Sequence, residues 1–146
     1  MAKRRTNPLL SILSRVRITP AGCWSFTGAT GRGGYGVIRT AGKNHYVHRF
    51  VYEHFVGPIP AELQIDHLCR VRNCVRLSHL EVVTPRVNTL RGDTFQAANA
   101  AKTHCLRGHE FSGDNFRVDP TGRRICRACR RITNQERRGN AIRKTA

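Results

Sequence analysis

Apolar positions in the first twenty residues recur at helical spacing. Leu9, Leu10, Ile12, Leu13 and Val16 form one stripe, with Asn7 as a cap, Pro8 in the first turn and Pro20 beyond the end. This predicts a short helix behind a loose basic tail over residues 1–6. From residue 21 the pattern turns to short β segments. Cys23-Trp24-Ser25-Phe26 reads as a strand, Tyr35-Gly36-Val37-Ile38-Arg39 as a second and His45-Tyr46-Val47 as a third, with Ala41-Gly42-Lys43-Asn44 as a turn. Gly28 to Gly36 should turn tightly; it lacks the Gly-Lys-Ser/Thr ending and the following helix of a phosphate-binding loop. The period changes again from Val47 to Val56, where Val47, Phe50, Val51, His54 and Phe55 share a helical face that Gly57-Pro58 ends. Trp24, Phe50, Tyr52 and Phe55 are expected in the core.

The central stretch follows. Gln64-Ile65-Asp66-His67 and Glu81-Val82-Val83 read as strands around a long loop, and Thr84 caps a helix with Pro85 at its first position and Asn88 one turn in. Residues 94–103 are Ala-rich and predict a helical linker. Beyond it lies a hairpin turning at Asp119-Pro120-Thr121-Gly122, then an Arg-rich, helix-permissive run from Ala128 to Arg138 whose end should fray. The expectation is an α+β chain in four parts: a basic tail and short helix (1–20), a central domain with an N-terminal β-hairpin region (21–93), the linker (94–103) and a basic C-terminal module (104–146).

Charge narrows the partners. The 146 residues carry 26 Lys and Arg against 9 Asp and Glu, a net charge of +17, and 22 of the 26 are Arg. A polyanion is the first expectation, nucleic acid above all, because guanidinium pairs with phosphate bidentately. No run of 18 apolar residues is present, so no membrane-spanning helix is expected, and no apolar segment of signal-peptide type follows the basic start. A cytoplasmic setting keeps thiols reduced, so the six cysteines point to metal rather than disulfides.

Cys105, His109, Cys126 and Cys129 form two close ligand pairs, C-x3-H and C-x2-C, joined by a hairpin-length loop. Zinc takes four tetrahedral Cys or His ligands, and such pairs let each turn present two. A polar, Arg-rich segment offers no other way to bury four such groups, so a closed structural zinc site is expected. His104 is a bystander. Cys23, Cys69 and Cys74 remain. With His79 they can make a second closed site; on spacing alone, Cys23 and Cys74 serve equally well as small core residues.

Cutting a phosphodiester requires a base for water, a stabilised leaving oxygen and neutralised phosphate charge. A neutral histidine supplies the first. A hard divalent ion held by one or two oxygen ligands, such as an Asp carboxylate and an Asn amide, supplies the rest. His67-x1-Cys69-x4-Cys74-x4-His79-Leu80 … Asn88 resembles the ββα-metal (His-Me finger) motif of HNH endonucleases. The likeness is especially close to their His-Cys box relatives and to phage or intron-type HNH homing endonucleases. His48-Arg49, Gly57-Pro58-Ile59-Pro60, Asp66-His67-Leu68-Cys69 and His79-Leu80-Glu81-Val82-Val83-Thr84 carry the likeness, over roughly residues 21–92.

The resemblance implies a Mg²⁺- (or Mn²⁺-) dependent endonuclease on double-stranded DNA, leaving 5′-phosphate and 3′-hydroxyl ends. His67 matches its general base, Asn88 its metal-ligating residue, and Asp66 the acidic residue that in many members also binds the metal. Asp66 and His67 point to opposite faces of an ideal strand, so a bulge or the strand end is needed for both to act. The middle motif position, usually Asn, is His79 here. This departure favours the His-Cys box pattern, in which that histidine ligates zinc with Cys69, Cys74 and an upstream cysteine, Cys23. A backbone carbonyl is then expected to orient His67. DNA contacts are expected from Arg49, from Arg70, Arg72 and Arg76 in the central loop, and from Arg123, Arg124, Arg127, Arg130 and Arg131 in the C-terminal module. One copy suffices for a nick; a double-strand break needs a homodimer or two successive visits. The setting implied is the cytoplasm of a phage-infected bacterium. The rival reading is a non-catalytic zinc-finger nucleic-acid-binding protein, which has no need of His67 and Asn88 in this register.

Overall fold

The computed structural model describes residues 7–144, with side chains through residue 140; the basic tail expected at 1–6 lies outside the described residues. The chain divides after Thr94 into two compact units.

In the first unit, α1 (Pro8–Leu13) has Asn7 as its cap, accepting from the Leu9 amide at 2.9 Å, and Pro8 in its first turn. The helix stops earlier than its apolar stripe suggested. Val16 joins β1 (Val16–Ile18), which pairs antiparallel with β2 (Trp24–Phe26), Val16 opposite Phe26. Val16, Ile18 and Thr19 are β-branched and gain more from cross-strand packing than from extending a short helix. The other edge of β2 is bonded too. The Phe26 amide donates to the Asn73 carbonyl and the Val75 amide to the Trp24 carbonyl, both at 2.9 Å. The central loop is thereby sewn to the first hairpin.

β3 (Val37–Thr40) and β4 (Lys43–Tyr46) form the next hairpin. Its turn is two residues, tighter than expected, with Ala41 and Gly42 at φ 47° and 79°. Both central residues in the left-handed region match the twist of the flanking strands. α2 (Val47–Phe55) follows directly and buries Val47, His48 and Val51. Ile12, Phe26, Val47, Val51 and Val75 form the core, so one residue each from α1, β2 and the central loop meets two from α2. Phe50 packs against that core, whereas Trp24 and Phe55, expected inside, are exposed. Phe55 is the last residue of α2, beyond the reach of the core.

β5 (Gln64–His67) and β6 (Leu80–Val83) pair antiparallel, with Asp66 opposite Glu81 and His67 opposite Leu80. α3 (Pro85–Arg91) leaves β6 at once, because Thr84 Oγ1 accepts from the Val87 amide and Pro85 presets the first turn.

The second unit begins with α4 (Phe95–Ala101), expected as a linker. It is tied in: the Arg124 guanidinium donates to the carbonyls of Asn99 and Lys102 and lies 4.7 Å over the Phe111 ring. β7 (Phe116–Val118) and β8 (Arg124–Cys126) form a hairpin turned by Asp119, whose carboxylate accepts from the amides of Thr121 and Arg123. α5 (Arg127–Lys144) follows and runs longer than the predicted segment.

Candidate active site and metal-binding clusters

Alternation along β5 divides the central residues between two faces. Gln64 and Asp66 turn towards α3. The Asn88 amide nitrogen donates to Gln64 Oε1 at 3.0 Å, and Arg91, one turn later, lies 3.6 Å from Asp66 Oδ2. Asp66 is 2 % exposed, so its charge needs partners. Arg70 Nη1 binds Oδ1 at 2.6 Å; Oδ2 has no hydrogen-bond partner. Arg91 instead hydrogen-bonds Glu81, the residue opposite Asp66 on β6.

His67 occupies the last position of β5, on the opposite face from Asp66. It is 5 % exposed, with its ring centroid 4.8 Å from His48 and 5.8 Å from Tyr35. Burial pushes its pKa below the ordinary value, against the Cys74 carbonyl that hydrogen-bonds the ring and the nearby Asp66 charge, which favour protonation; Arg70 and Arg72 add to the lowering. The imidazole is therefore neutral near pH 7. Nε2 has no hydrogen-bond partner among the described residues. The carbonyl that orients the ring thus belongs to a residue of the first Cys/His cluster.

His48 lies beside that ring. Its ring is 7 % exposed, stacks on Tyr46 at 5.7 Å and meets His67, and its Nδ1 also lacks a partner. Burial and the adjacent His67 and Arg49 push its pKa down to about 3. The available signal was its place beside Val47 and Val51 on the buried face of α2.

Cys23, Cys69, Cys74 and His79 converge, with their ligand atoms all within 4.8 Å of one another, as do those of Cys105, His109, Cys126 and Cys129. His79 Nδ1 lies 3.7 Å from Cys23 Sγ and 3.6 Å from Cys74 Sγ. Cys105 Sγ lies 3.4 Å from His109 Nδ1 and 3.5 Å from Cys129 Sγ. A tetrahedral ion with bonds of about 2.3 Å to sulfur and about 2.0 Å to nitrogen has ligand–ligand edges of about 3.5–3.8 Å. The donor sets fit such an ion. Thiols packed this closely resist ionising together. Burial and the neighbouring Cys69 and Cys74 push Cys23 up to about 11, and burial with Cys105 and Cys126 does the same to Cys129. Burial also acts against ionisation of Cys105, but backbone donors at Arg107 and His109 outweigh it and bring that thiol down to about 6. A cation in each quartet resolves the conflict, because it favours every thiolate at once. Each quartet can hold a metal ion.

The arginines marked for DNA differ in freedom. Arg72 donates to the Gly33 carbonyl at 2.9 Å and lies over the Tyr35 ring, and Arg76 donates to the Gly22 carbonyl at 2.8 Å. Arg49 faces Glu53 at 3.6 Å. In the second unit Arg123, Arg127, Arg130 and Arg131 are exposed, whereas Arg124 is held by its carbonyl contacts. No helix among the described residues is long and apolar enough to cross a membrane.

Residues 45–90, which take in β5, β6 and nearly all of α3, match the HNH endonuclease family. That stretch is thus similar to an HNH endonuclease domain. This match is narrower than the likeness over residues 21–92, and it leaves Cys23 and the second quartet outside. Its relatives are phage proteins. Protein 2.8 of Escherichia phage T7 is 29 % identical over 106 residues, covering 71 % of this chain and 68 % of that protein. Protein 7.7 of the same phage is 34 % identical over 67 residues, covering 46 % and 52 %. The uncharacterized gene 5.3 protein of Enterobacteria phage T3 is 37 % identical over 57 residues, covering 38 % and 56 %. The chain spans little more than half the length of the last two. No solved structure matches.

Proposed function

We propose that the chain is a Mg²⁺-dependent DNA endonuclease that hydrolyses or nicks duplex DNA in a phage-infected bacterial cell. The observation that carries this reading is His67: a neutral imidazole inside the HNH domain, held by the Cys74 carbonyl, with Nε2 unpartnered. In that role Nε2 takes the proton of the attacking water. Asp66 faces α3, the helix that carries Asn88, and the two supply oxygen donors of the kind Mg²⁺ prefers. A divalent ion bound there supplies neutralising charge to the phosphate and to the leaving 3′-oxygen. The products are then a 5′-phosphate and a 3′-hydroxyl. Both Cys/His quartets hold structural zinc, the first keeping the central loop and the His67 ring in place. Arg70, Arg72 and Arg76 of the central loop contact DNA phosphates in this reading. Exposed Arg123, Arg127, Arg130 and Arg131 on the second unit extend the contact with DNA backbone.

The test is supercoiled plasmid incubated with the zinc-loaded protein and Mg²⁺, and with EDTA in its place. Relaxed or linear plasmid with Mg²⁺ alone is expected, and Asn88→Ala should abolish it. Plasmid that is bound yet stays supercoiled under every divalent ion tried would leave a zinc-bearing nucleic-acid-binding protein as the better account.

A further inference from the structure

Asp66 and Glu81 are directly opposite on β5 and β6, and one side chain of α3 reaches both. Arg91 hydrogen-bonds the Glu81 carboxylate and stands 3.6 Å from Asp66 Oδ2. The two oxygens of Asp66 are treated unequally. Oδ1 has a short bond from Arg70, whereas Oδ2, inside a side chain 98 % buried, has no hydrogen-bond partner and lies 3.6 Å from Arg91. Asn88 lies one helical turn before Arg91 and spends its amide nitrogen on Gln64, which leaves Oδ1 as its remaining acceptor. Asp66 Oδ2, a Glu81 oxygen and Asn88 Oδ1 are therefore three oxygen donors around α3 and the hairpin. The positive charge that reaches both carboxylates is the Arg91 guanidinium, which has no acceptor of its own.

We propose that Arg91 is a tethered cation that holds Asp66 and Glu81 in place of a divalent ion and competes with that ion for them, with Glu81 as a further oxygen donor to it. This rests on the reading that Asp66 and Asn88 hold the catalytic cation. Two carboxylates facing each other across a hairpin repel unless a positive charge lies between them. Arg91 offsets that repulsion and helps to hold the two carboxylates in place. The same contact must be given up when a divalent ion takes the carboxylates. Arg91 is 41 % exposed, so solvent weakens its hold, and the competition it offers is modest. It sets how much divalent ion is needed rather than whether the ion binds.

The test uses full-length zinc-loaded protein without DNA, titrated with Mn²⁺ and read by the loss of the free-ion electron paramagnetic resonance signal. Arg91→Ala should bind Mn²⁺ more tightly than wild type, by up to about fivefold. Arg91→Lys, which keeps the charge but loses the fork, should fall between them. Glu81→Gln should bind more weakly than wild type, and the double variant should lose most of the gain of Arg91→Ala. Circular dichroism of each variant establishes that it is folded. Equal or weaker binding in folded Arg91→Ala, or binding indifferent to Glu81→Gln, would overturn the proposal. A nuclease whose Mg²⁺ requirement is unmoved by Arg91→Ala defeats this inference alone. Tighter Mn²⁺ binding in a protein that never cuts DNA supports the inference and defeats the nuclease reading.

Discussion

His48 and His67 show what one buried ring costs. Each is nearly inaccessible, each has a nitrogen without a partner, and their centroids are 4.8 Å apart. Protonating His48 places a charge in an apolar pocket beside a second imidazole, which is why its pKa falls to about 3. The unfolded chain takes up this proton near pH 6.5. Because the folded pKa is depressed, acid favours the unfolded state: the His48 contribution is intact above about pH 6.5 and is lost as pH falls towards about 3. Urea unfolding of wild type and His48→Phe between pH 7 and 4 checks this. The wild-type midpoint should fall more steeply than that of the variant; parallel slopes would contradict the assignment. The bridging role of Arg91 was not legible from spacing, and of His48 only its place beside Val47 and Val51 was. The surroundings of His48 come from Tyr35 in the glycine-rich loop and Tyr46 at the end of β4, and no periodicity reports those meetings.

At the scale of elements, local rules carried far in the central stretch. Gln64–His67 is a strand with those bounds, and Thr84 and Pro85 begin α3 because capping and fixed φ are properties of two adjacent residues. Spacing grouped the second quartet and the resemblance the first, and the fold brings the ligand atoms of each within 4.8 Å. β1 was not legible: Val16 fits a helical stripe as well as a strand, and only the pairing with Phe26 decides between them. The long loop from β5 to β6 has little secondary structure, and its order rests on contacts to β2 and on the first quartet. Zinc there should behave as folding energy. Metal analysis of the purified chain should give about two zinc per molecule. Cys74→Ser should lower that to about one and cost several kcal/mol of stability, because a structural zinc site contributes on the order of 10 kcal/mol. Two zincs retained in Cys74→Ser would contradict the first site.

Across the whole molecule, charge and chemistry are divided between two units. The HNH match lies wholly within the first, while the second carries its own Cys/His quartet and a helix rich in exposed arginine. The composition made a polyanion partner legible from the start, since +17 on 146 residues has few other uses. The boundary after Thr94 was less so, because α4 is Ala-rich and reads as a connector, whereas Arg124 binds its C-terminal carbonyls. The central claim is narrower than either unit: Nε2 of His67 accepts the proton of the attacking water. A base that acts through its lone pair can be replaced by a free one. End-labelled duplex DNA is incubated with His67→Gly and Mg²⁺, without and then with added imidazole, and cleavage is followed against pH. The account predicts a fall of about 10²–10⁴-fold for the variant, restored in part by imidazole in proportion to its neutral form. Cleavage by His67→Gly at the wild-type rate would contradict it.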